Sequence, residues 1–390
     1  MITREDMLEL AQFQGHGADC AISFFFQPSR PTNKAHREDA ILAKDLIRQA
    51  LREAEKNGRN GGARADLQRI LDLAADWQGN QPRARVIFAC GSRGIWREFD
   101  LPPHFAHTQL FVNRRFHLKP VVLVLRAQPR LWLAFVDRHR ARIFDLHLDE
   151  LKEREALFHA LPRRGRGDGF AGYDAGHAER SVNDEVQRHY KNVAEYLRQG
   201  QETGAFDNLI IGCQDINWHE FETHLHPYVS QRLLGRIVAD VATVTEQDVR
   251  QQADHILRQS LDRHRHGVVN EILSQAKSNG RGVTGLRRVL RSLEMGEVRI
   301  LLMSENYSAH AVECGSCGHL DAHMVRYCPL CGRGTREVED VCDAIVPAAI
   351  CRDIELFYVK DDPSLDHVGN IAALLRFRAD QSKGRMAAAS

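Results

Sequence analysis

Residues 271–306 read EILSQAKSNGRGVTGLRRVLRSLEMGEVRILLMSEN, and their pattern of apolar residues predicts a helix followed by a buried strand. GVTGLRRVLRSLEMG (282–296) has helical spacing and ends at Gly296, the residue type that most often terminates helices. VRILLMS (298–304) is largely apolar and reads as a strand that leads directly into a cluster of cysteines. The stretch therefore predicts the centre of an α/β domain with a cysteine-rich insertion.

The cysteine cluster, CGSCGHLDAHMVRYCPLC (314–331), consists of two C-x2-C pairs separated by ten residues. Four thiolates at this double spacing can hold one Zn²⁺ tetrahedrally, and the adjoining glycines permit the tight turns that each pair needs. We therefore predict a structural zinc ribbon with no open coordination position, whose ligands are Cys314, Cys317, Cys328 and Cys331. The alternative is four free cysteines, because a redox pair would be a single C-x2-C beside a βαβ unit. The remaining cysteines are expected to be small buried residues: Cys20, Cys90, Cys213, Cys342 and Cys351.

The segment before this domain, 119–248, is predicted to be a second α/β domain. Apolar runs joined by short turns indicate three strands, PVVLVLR (120–126), RLWLAFVD (130–137) and RARIFDLHL (140–148). A helix with an apolar stripe over 178–199 and a buried strand, NLIIGC (208–213), complete the pattern. Between the strands and this helix lies LPRRGRGDGFAGYDAG (161–176), which holds three arginines and five glycines. Long surface loops often have no function, so composition alone does not decide the role of this one.

The first 118 residues alternate between strands and helices and are predicted to form a third α/β domain. CAISFFFQ (20–27) reads as a buried strand, and helical periods follow over 39–56 and 64–77. The C-terminal domain is assigned to 249–390 and begins with a helix over 246–277, which we expect to be broken near RHRHG (263–267). The predicted fold class is thus α/β, with three α/β domains and a zinc ribbon inserted in the last one.

Composition narrows the possible environments. The net charge is +1 and the pI is about 7.7, so any contact with nucleic acid must come from local basic patches. No run of about 18 apolar residues is present, so we expect no membrane span. The N-terminus, MITREDMLELAQFQG, lacks a charged region followed by an apolar core, so we expect a cytosolic protein without a secretory signal.

The order of these parts resembles the archaeal and eukaryotic class-one release factor and Pelota superfamily, and in particular its bacterial branch, which includes ribosome hibernation factors. Within 271–306 the residues that match the third domain of that superfamily are Gly285, Leu290, Leu293, Glu294, Met295, Gly296, Leu301, Ser304, Glu305 and Asn306. The end of the chain, VGNIAALLRFR (368–378), matches at Gly369, Ile371, Ala373, Leu374, Leu375 and Arg376. The resemblance is strong over 250–378, moderate over 120–250 and weak over 1–118.

Two motifs of release factors are missing. Their middle-domain loop carries Gly-Gly-Gln, whose glutamine helps to position water at the peptidyl-tRNA ester, whereas GRGDGFAGYDAG has neither a Gly-Gly pair nor a glutamine. Without a side chain that orients water, rate effects worth several powers of ten are lost. The stop-codon motif Asn-Ile-Lys-Ser is also missing, and Thr32-Asn33-Lys34-Ala35 is only a superficial echo of it. We therefore expect no catalytic residue in this chain.

The resemblance implies a protein that occupies the A site of the 70S ribosome as a hibernation or stress factor. In that family the loop tip reaches the peptidyl-transferase centre, where a glycine-rich backbone can follow a narrow path and arginines can pair with phosphates. The loop residues expected to contact ribosomal RNA are Arg163, Arg164, Gly165, Arg166, Gly167 and Gly169. The resemblance also implies elongation factor Tu as a delivery partner, and we expect a monomer that binds neither DNA nor a membrane.

Two alternatives belong to other functional classes. The first is a peptidyl-tRNA hydrolase or ribosome rescue factor whose loop backbone acts together with ribosomal RNA. The second is an interaction protein that kept the scaffold without binding the ribosome. The near-neutral charge mildly favours the second, because most ribosome ligands are more basic.

Overall fold

In the computed structural model the chain forms two compact units, one made of Met1–Arg126 with Arg265–Ser390 and the other of Ala127–His264. The structure describes residues 2–16, 19–28, 35–56, 62–76, 84–102, 107–127, 129–147, 150–158 and 174–378. None of the helices in these ranges is long and apolar enough to cross a bilayer. Several sheets covered by helices, together with a four-cysteine insertion, confirm the predicted α/β fold class. The domain boundaries after residues 118 and 248 stay a prediction.

The N-terminal part, up to residue 126, is a four-stranded antiparallel sheet with helices on its faces. Its helices are α1 (Arg4–Gln12), α2 (Ala35–Lys56) and α3 (Gly62–Asp76), and its strands are β1 (Ala21–Phe26), β2 (Ala84–Cys90), β3 (Ile95–Leu101) and β4 (Gln109–Asn113). The strand order is β3-β2-β1-β4. Helix α1 starts at a capping box in which the Thr3 side chain accepts from the Asp6 N–H and Asp6 accepts from the Thr3 N–H.

Strand β1 is buried along its whole length, and apolar except for Ser23, because both faces of this sheet are covered. Ile22 and Phe24 pack in one cluster with side chains of α2 and α3. Phe25, on the opposite face, lies in a second cluster that is shared with the C-terminal part. A strand covered on both faces reads as a continuous apolar run, which is why CAISFFFQ was recognisable in the sequence.

The middle unit is a mixed five-stranded sheet in the order β7-β6-β5-β8-β9. Its strands are β5 (Leu131–Val136), β6 (Arg140–His147), β7 (Glu150–Phe158), β8 (Asn208–Gly212) and β9 (Leu233–Ile237). Its helices are α5 (Asp174–Glu202), α6 (Asp215–Glu222), α7 (Pro227–Ser230) and the first part of α8 (Glu246–Lys277), which continues beyond His264 into the other unit. Helix α4 (Lys119–Ala127), which comes before the sheet in the chain, belongs to the N-terminal part. Strands β5, β8 and β9 are parallel, whereas β6 and β7 are antiparallel to their neighbours.

The C-terminal part contains a second mixed sheet and a small three-stranded ribbon. Its strands are β10 (Gly282–Thr284), β11 (Val298–Ser304), β12 (Ala311–Cys314), β13 (Leu320–Asp321), β14 (Thr335–Val338), β15 (Glu355–Val359) and β16 (Ile371–Leu375). Its helices are α9 (Leu286–Glu294), α10 (Cys342–Cys351) and α11 (Pro363–Asp366). The larger sheet runs β10-β16-β11-β15, and β13-β12-β14 form the ribbon. The strand predicted over 298–304, directly before the cysteines, is confirmed as β11.

The prediction of a strand over 120–126 was wrong, because this run forms α4. Pro120 stands at the second residue of the helix, a position where its fixed φ favours helix formation and its missing N–H is harmless. Val121 and Val122 are buried in the cluster shared by the N-terminal and C-terminal parts. Short apolar runs do not distinguish a buried helix from a strand, and here the packing decided. The third strand of the antiparallel group is instead β7, which was not predicted because ELKEREALF is mostly charged.

Other local expectations also need correction. Helix α8 continues through 263–267 without a break. A single glycine such as Gly267 lowers helix stability by only about 1 kcal/mol, which is too little to end a helix of this length. The helix expected from residue 282 begins at Leu286, because Gly282–Thr284 pair with β16 as strand β10. Four of the cysteines predicted to be buried are so, but Cys351, at the last residue of α10, is exposed.

Candidate metal centre and neighbouring elements

The four cysteines of the two C-x2-C pairs meet at one point. The sulfur atoms of Cys314 and Cys331 lie 3.4 Å apart, those of Cys317 and Cys328 lie 3.6 Å apart, and all four lie within 4.8 Å of one another. A tetrahedral Zn²⁺ with bonds of about 2.3 Å would separate its sulfur ligands by about 3.8 Å. The donor set and its spacing therefore fit one tetrahedral metal ion with soft ligands, as the sequence predicted.

Local backbone geometry brings these sulfurs together. Gly318 and Gly332 adopt φ of 73° and 70°, in the left-handed region that glycine enters at little cost. Each glycine N–H donates to the carbonyl of the first cysteine of its pair, Gly318 to Cys314 and Gly332 to Cys328. The backbone N–H groups of Cys317 and Ser316 lower the pKa of the Cys314 thiol to about 6. Burial and contacts with the neighbouring sulfurs raise the pKa of the Cys317 thiol to about 12, so the thiols ionise unequally, whereas a metal ion binds the thiolate form.

The ribbon is fixed to the N-terminal part through a buried carboxylate next to the first ligand. Glu313 lies on β12 with only 1% of its surface exposed. It accepts two hydrogen bonds from the Arg115 guanidinium and two from that of Arg336 on β14, at 2.6 and 3.1 Å for Arg336. These arginines lower the pKa of the Glu313 carboxyl against the opposing effect of its burial. One charge therefore connects the metal-binding insertion with residues about 200 positions earlier in the chain.

A second polar group joins the N-terminal and C-terminal parts beside this carboxylate. Asp343, at the start of α10, accepts from Asn113 at 2.8 Å and pairs with Nδ1 of His117 at 2.5 Å. The His117 ring stacks on Phe111 with 4.0 Å between the ring centroids. Lys119 donates to the Tyr307 carbonyl at 2.6 Å. These contacts surround the apolar cluster shared by the two parts and make the C-terminal part and the N-terminal part a single compact unit.

The predicted loop contacts lie outside the described residues, since 159–173 are not described. Arg163, Arg164, Gly165, Arg166, Gly167 and Gly169 are all in this range, so their role stays a prediction. The structure does describe the two elements that this segment connects, β7 and α5. Helix α5 packs on the sheet of the middle unit through buried Val186, Tyr190, Val193 and Leu197, the stripe that the sequence predicted.

His219, His224 and His226, in WHEFETHLH (218–226), do not come together as a metal site. Nε2 of His224 lies 2.6 Å from the Gln187 side chain, and His226 caps the start of α7. Among the described residues, three or more potential metal ligands come within 4.8 Å of one another at the four cysteines, and not at these histidines.

Sequence reasoning did not find the residues that join the two parts of the first unit. Arg115 and Glu313 are 198 positions apart, and His117 and Asp343 are 226 apart. The available clue was a charged residue, Glu313, in the otherwise apolar strand β12 directly before the candidate ligand Cys314. No local spacing identifies the partner of such a residue.

Comparisons with known proteins agree with the resemblance read from the sequence. Residues 117–258 match the model of "Bacterial archaeo-eukaryotic release factor family 10". Peptide chain release factor subunit 1 of Pyrococcus abyssi is 24% identical over 310 residues, which cover 71% of this chain and 74% of that protein. The Thermococcus sibiricus protein of the same name is 25% identical over the same shares.

Solved structures of the same group align along most of the chain. A crystal structure of the archaeal termination factor aRF1 is 17% identical, covers 96% of this chain and 99% of its own, and has a TM-score of 0.27. Pelota from Archaeoglobus fulgidus is 12% identical, covers 96% and 93%, and has a TM-score of 0.31.

Proposed function

We propose that this chain, which matches a bacterial release-factor family model over 117–258 and is similar to archaeal release factors, is a ribosome-binding translation factor that occupies the A site and does not release peptides. The further assignment as a hibernation or stress factor is part of the same proposal. The observation that carries the proposal is that 117–258 match a release-factor family model while 161–176 lack the Gly-Gly-Gln motif.

The segment without the motif lies in the chain between two elements that the structure describes. Residues 159–173 connect β7 to α5, two elements that the core of the middle unit holds in place. The segment contains three arginines and a single acidic residue, Asp168, and it contains no glutamine and no Gly-Gly pair. Basic residues bind phosphates without base specificity, which suits contact with ribosomal RNA. A segment of this composition can fill an RNA-lined space but has no side chain to orient a water molecule.

The metal centre has a structural role in this proposal, with Zn²⁺ as its occupant. Four thiolates fill a tetrahedral shell, so no position is left for substrate or water. The metal would hold the ribbon in shape and keep Glu313 in place for Arg115. Elongation factor Tu is proposed as the delivery partner, and GTP-dependent co-purification of the two purified proteins would test this.

The test is sedimentation of purified 70S ribosomes with the wild-type protein and with an Arg163→Ala/Arg164→Ala/Arg166→Ala variant. We expect the wild type to migrate with the ribosomes and the loop variant to be depleted from them. A matched control is Arg287→Ala/Arg288→Ala/Arg291→Ala, which removes three exposed arginines from α9. If the wild type stays at the top of the gradient at low salt, the ribosome proposal fails and an interaction protein on the same scaffold takes its place.

The runner-up function is peptidyl-tRNA hydrolysis, and the similar proteins named peptide chain release factors favour it. It predicts that ribosomes carrying peptidyl-tRNA in the P site release the peptide when this protein is added. Replacement of 161–176 by a plain Gly/Ser linker should abolish that release if the loop backbone takes part. Under our proposal the wild type already gives no release above buffer, and measurable turnover would contradict it.

A further inference from the structure

The outer end of the ribbon exposes large apolar and cationic side chains together. Tyr327 is 71% exposed, Leu330 65% and Met324 53%, and Arg326 and Arg333 are exposed beside them in the chain. We call these five residues the ribbon tip. Single exposed apolar side chains are normal, but three large ones within seven residues of one hairpin are typical of an interaction surface.

The metal-binding turn holds the ribbon tip in a fixed form. Tyr327 stands opposite Gly334 in an antiparallel bridge, and a Cβ on Gly334 would meet open space, so no side chain at that position covers the tyrosine ring. The Thr335 N–H donates to the Arg326 carbonyl at 3.0 Å, and the Cys328 N–H donates to the Arg333 carbonyl at 2.7 Å. Because Cys328 is one of the four candidate metal ligands, metal binding and display of the tip would depend on the same hairpin. A preformed surface loses little conformational entropy on binding.

The charge of the tip is of one sign. Residues 322–336 contain Arg326, Arg333 and Arg336 and no acidic residue. Arg336 is engaged by buried Glu313, whereas neither Arg326 nor Arg333 makes a side-chain hydrogen bond or ion pair with any residue that the structure describes. Two arginines without a counter-charge flank an uncovered tyrosine ring.

We infer that the ribbon tip is an RNA-binding surface that takes unpaired nucleotides. Arginines pair with phosphates, and an exposed aromatic ring stacks on a base that is not held in a duplex. Leu330 and Met324 would pack against sugar or base edges. A tyrosine ring can stack on any of the bases, so this surface would bind RNA without reading its sequence. The inference deepens the proposed function and rests on it for the source of the RNA, which would be a ribosomal loop or single-stranded segment.

Another role for the two arginines is to balance the thiolates. A divalent ion with four thiolates carries a net charge of about −2, and nearby cations stabilise such a centre. This role predicts that removal of the arginines lowers metal retention. Measurement of bound zinc in each variant therefore separates the two roles, and Tyr327, which carries no charge, tests the RNA surface without touching the thiolates.

The experiment measures fluorescence anisotropy of a labelled uridine oligomer of about 12 nucleotides with the full-length, zinc-loaded protein. The variants are Tyr327→Ala, its conservative control Tyr327→Phe, and Arg326→Gln/Arg333→Gln. The matched charge control is Arg287→Gln/Arg288→Gln on α9. Co-sedimentation of each protein with 70S ribosomes is measured alongside.

We expect Tyr327→Ala to weaken binding of the oligomer at least about fivefold and Tyr327→Phe to leave it unchanged, because stacking needs the ring. The variant Arg326→Gln/Arg333→Gln should have a slope of log affinity against log salt that is smaller by about 1.4. This is twice the value for one phosphate contact of a single strand, about 0.7. The α9 control should change the slope by clearly less. Zinc content should equal that of the wild type in every variant.

Two results would overturn the inference: no binding of the oligomer by the wild type, or equal binding by Tyr327→Ala. If the arginine variant then also loses zinc, the arginines serve the thiolates instead. A tip that binds a ribosomal protein would appear as ribosome binding that is reduced by Tyr327→Ala while the oligomer is not bound. If the oligomer result holds but the wild type does not sediment with ribosomes, the A-site proposal fails and the RNA surface stands.

Discussion

Glu313→Gln should loosen the contact between the N-terminal and C-terminal parts of the first unit. The substitution keeps the shape of the side chain and removes the charge that Arg115 and Arg336 share. The side chain of Glu313 is 2% exposed, and those of Arg115 and Arg336 are 18% and 25% exposed. Two guanidinium groups would then remain in a mostly buried place without a counter-charge.

The size of the effect follows from this burial. Removal of one partner from a buried ion pair costs about 3–5 kcal/mol. Since both arginines retain some access to water, we take the lower end, about 3 kcal/mol, for opening of the contact. At 25 °C this corresponds to an opening equilibrium that is larger by a factor of about 150.

Hydrogen–deuterium exchange of the full-length, zinc-loaded protein measures that equilibrium. Helix α10 carries Asp343 and packs against α1 and the shared apolar cluster, so its amides should exchange about 100-fold faster in the variant. Amides of β8, in the other unit, serve as the internal reference and should not change.

Glu337→Gln is the matched control, because Glu337 is an exposed glutamate on β14 of the same ribbon. A second change, Arg115→Met in the Glu313→Gln background, should restore part of the protection by removing an unpaired charge. The reasoning is refuted if α10 exchanges within threefold of the wild-type rate, or if Glu337→Gln has the same effect. Zinc content must stay constant, since Glu313 adjoins the ligand Cys314.

Three further predictions concern the metal centre and the middle unit. Purified wild type should contain one zinc per chain by elemental analysis, and Cys328→Ser should lose it, because three thiolates hold the ion far less tightly than four. Leu197→Ala should lower the free energy of unfolding of the middle unit by about 2–5 kcal/mol in urea, since Leu197 is fully buried on α5. Burial raises the pKa of the Cys213 thiol from 9.0 to about 11, so between these values the unfolded chain ionises first and stability should fall as the pH rises; urea midpoints at increasing pH test this.

Each of these three predictions has a matched control variant. Cys351→Ser, at an exposed cysteine outside the cluster, should retain zinc. Ile216→Ala, at an exposed aliphatic residue on α6 of the same unit, should change the unfolding free energy by less than about 0.5 kcal/mol. Cys213→Ala should flatten the alkaline part of the pH profile even if it lowers stability overall. Retained zinc in Cys328→Ser, or an unchanged slope in Cys213→Ala, would contradict the corresponding argument.

Much of the fold and of the metal centre could be predicted from the sequence because local patterns decide them. The stripe of α5 follows from a spacing of three and four residues, and β1 follows from an apolar run in which Ser23 is the one polar residue. The strand over 120–126 could not be predicted correctly, because the apolar run fits a helix or a strand equally well. Strand β7 escaped prediction because an edge strand tolerates the charged residues that usually indicate a loop.

The sequence by itself identified the four cysteines as candidate metal ligands, because a C-x2-C turn brings its two sulfurs together within a few residues of backbone. It also determined the resemblance to release factors and the missing Gly-Gly-Gln motif, which are properties of residue order. Only the tertiary structure decided that Arg115 meets Glu313, that His117 meets Asp343 and that Tyr327 stands uncovered. Such contacts depend on how separately folded segments pack, and the free energy of that packing is spread over a shared core and is not encoded in any local spacing.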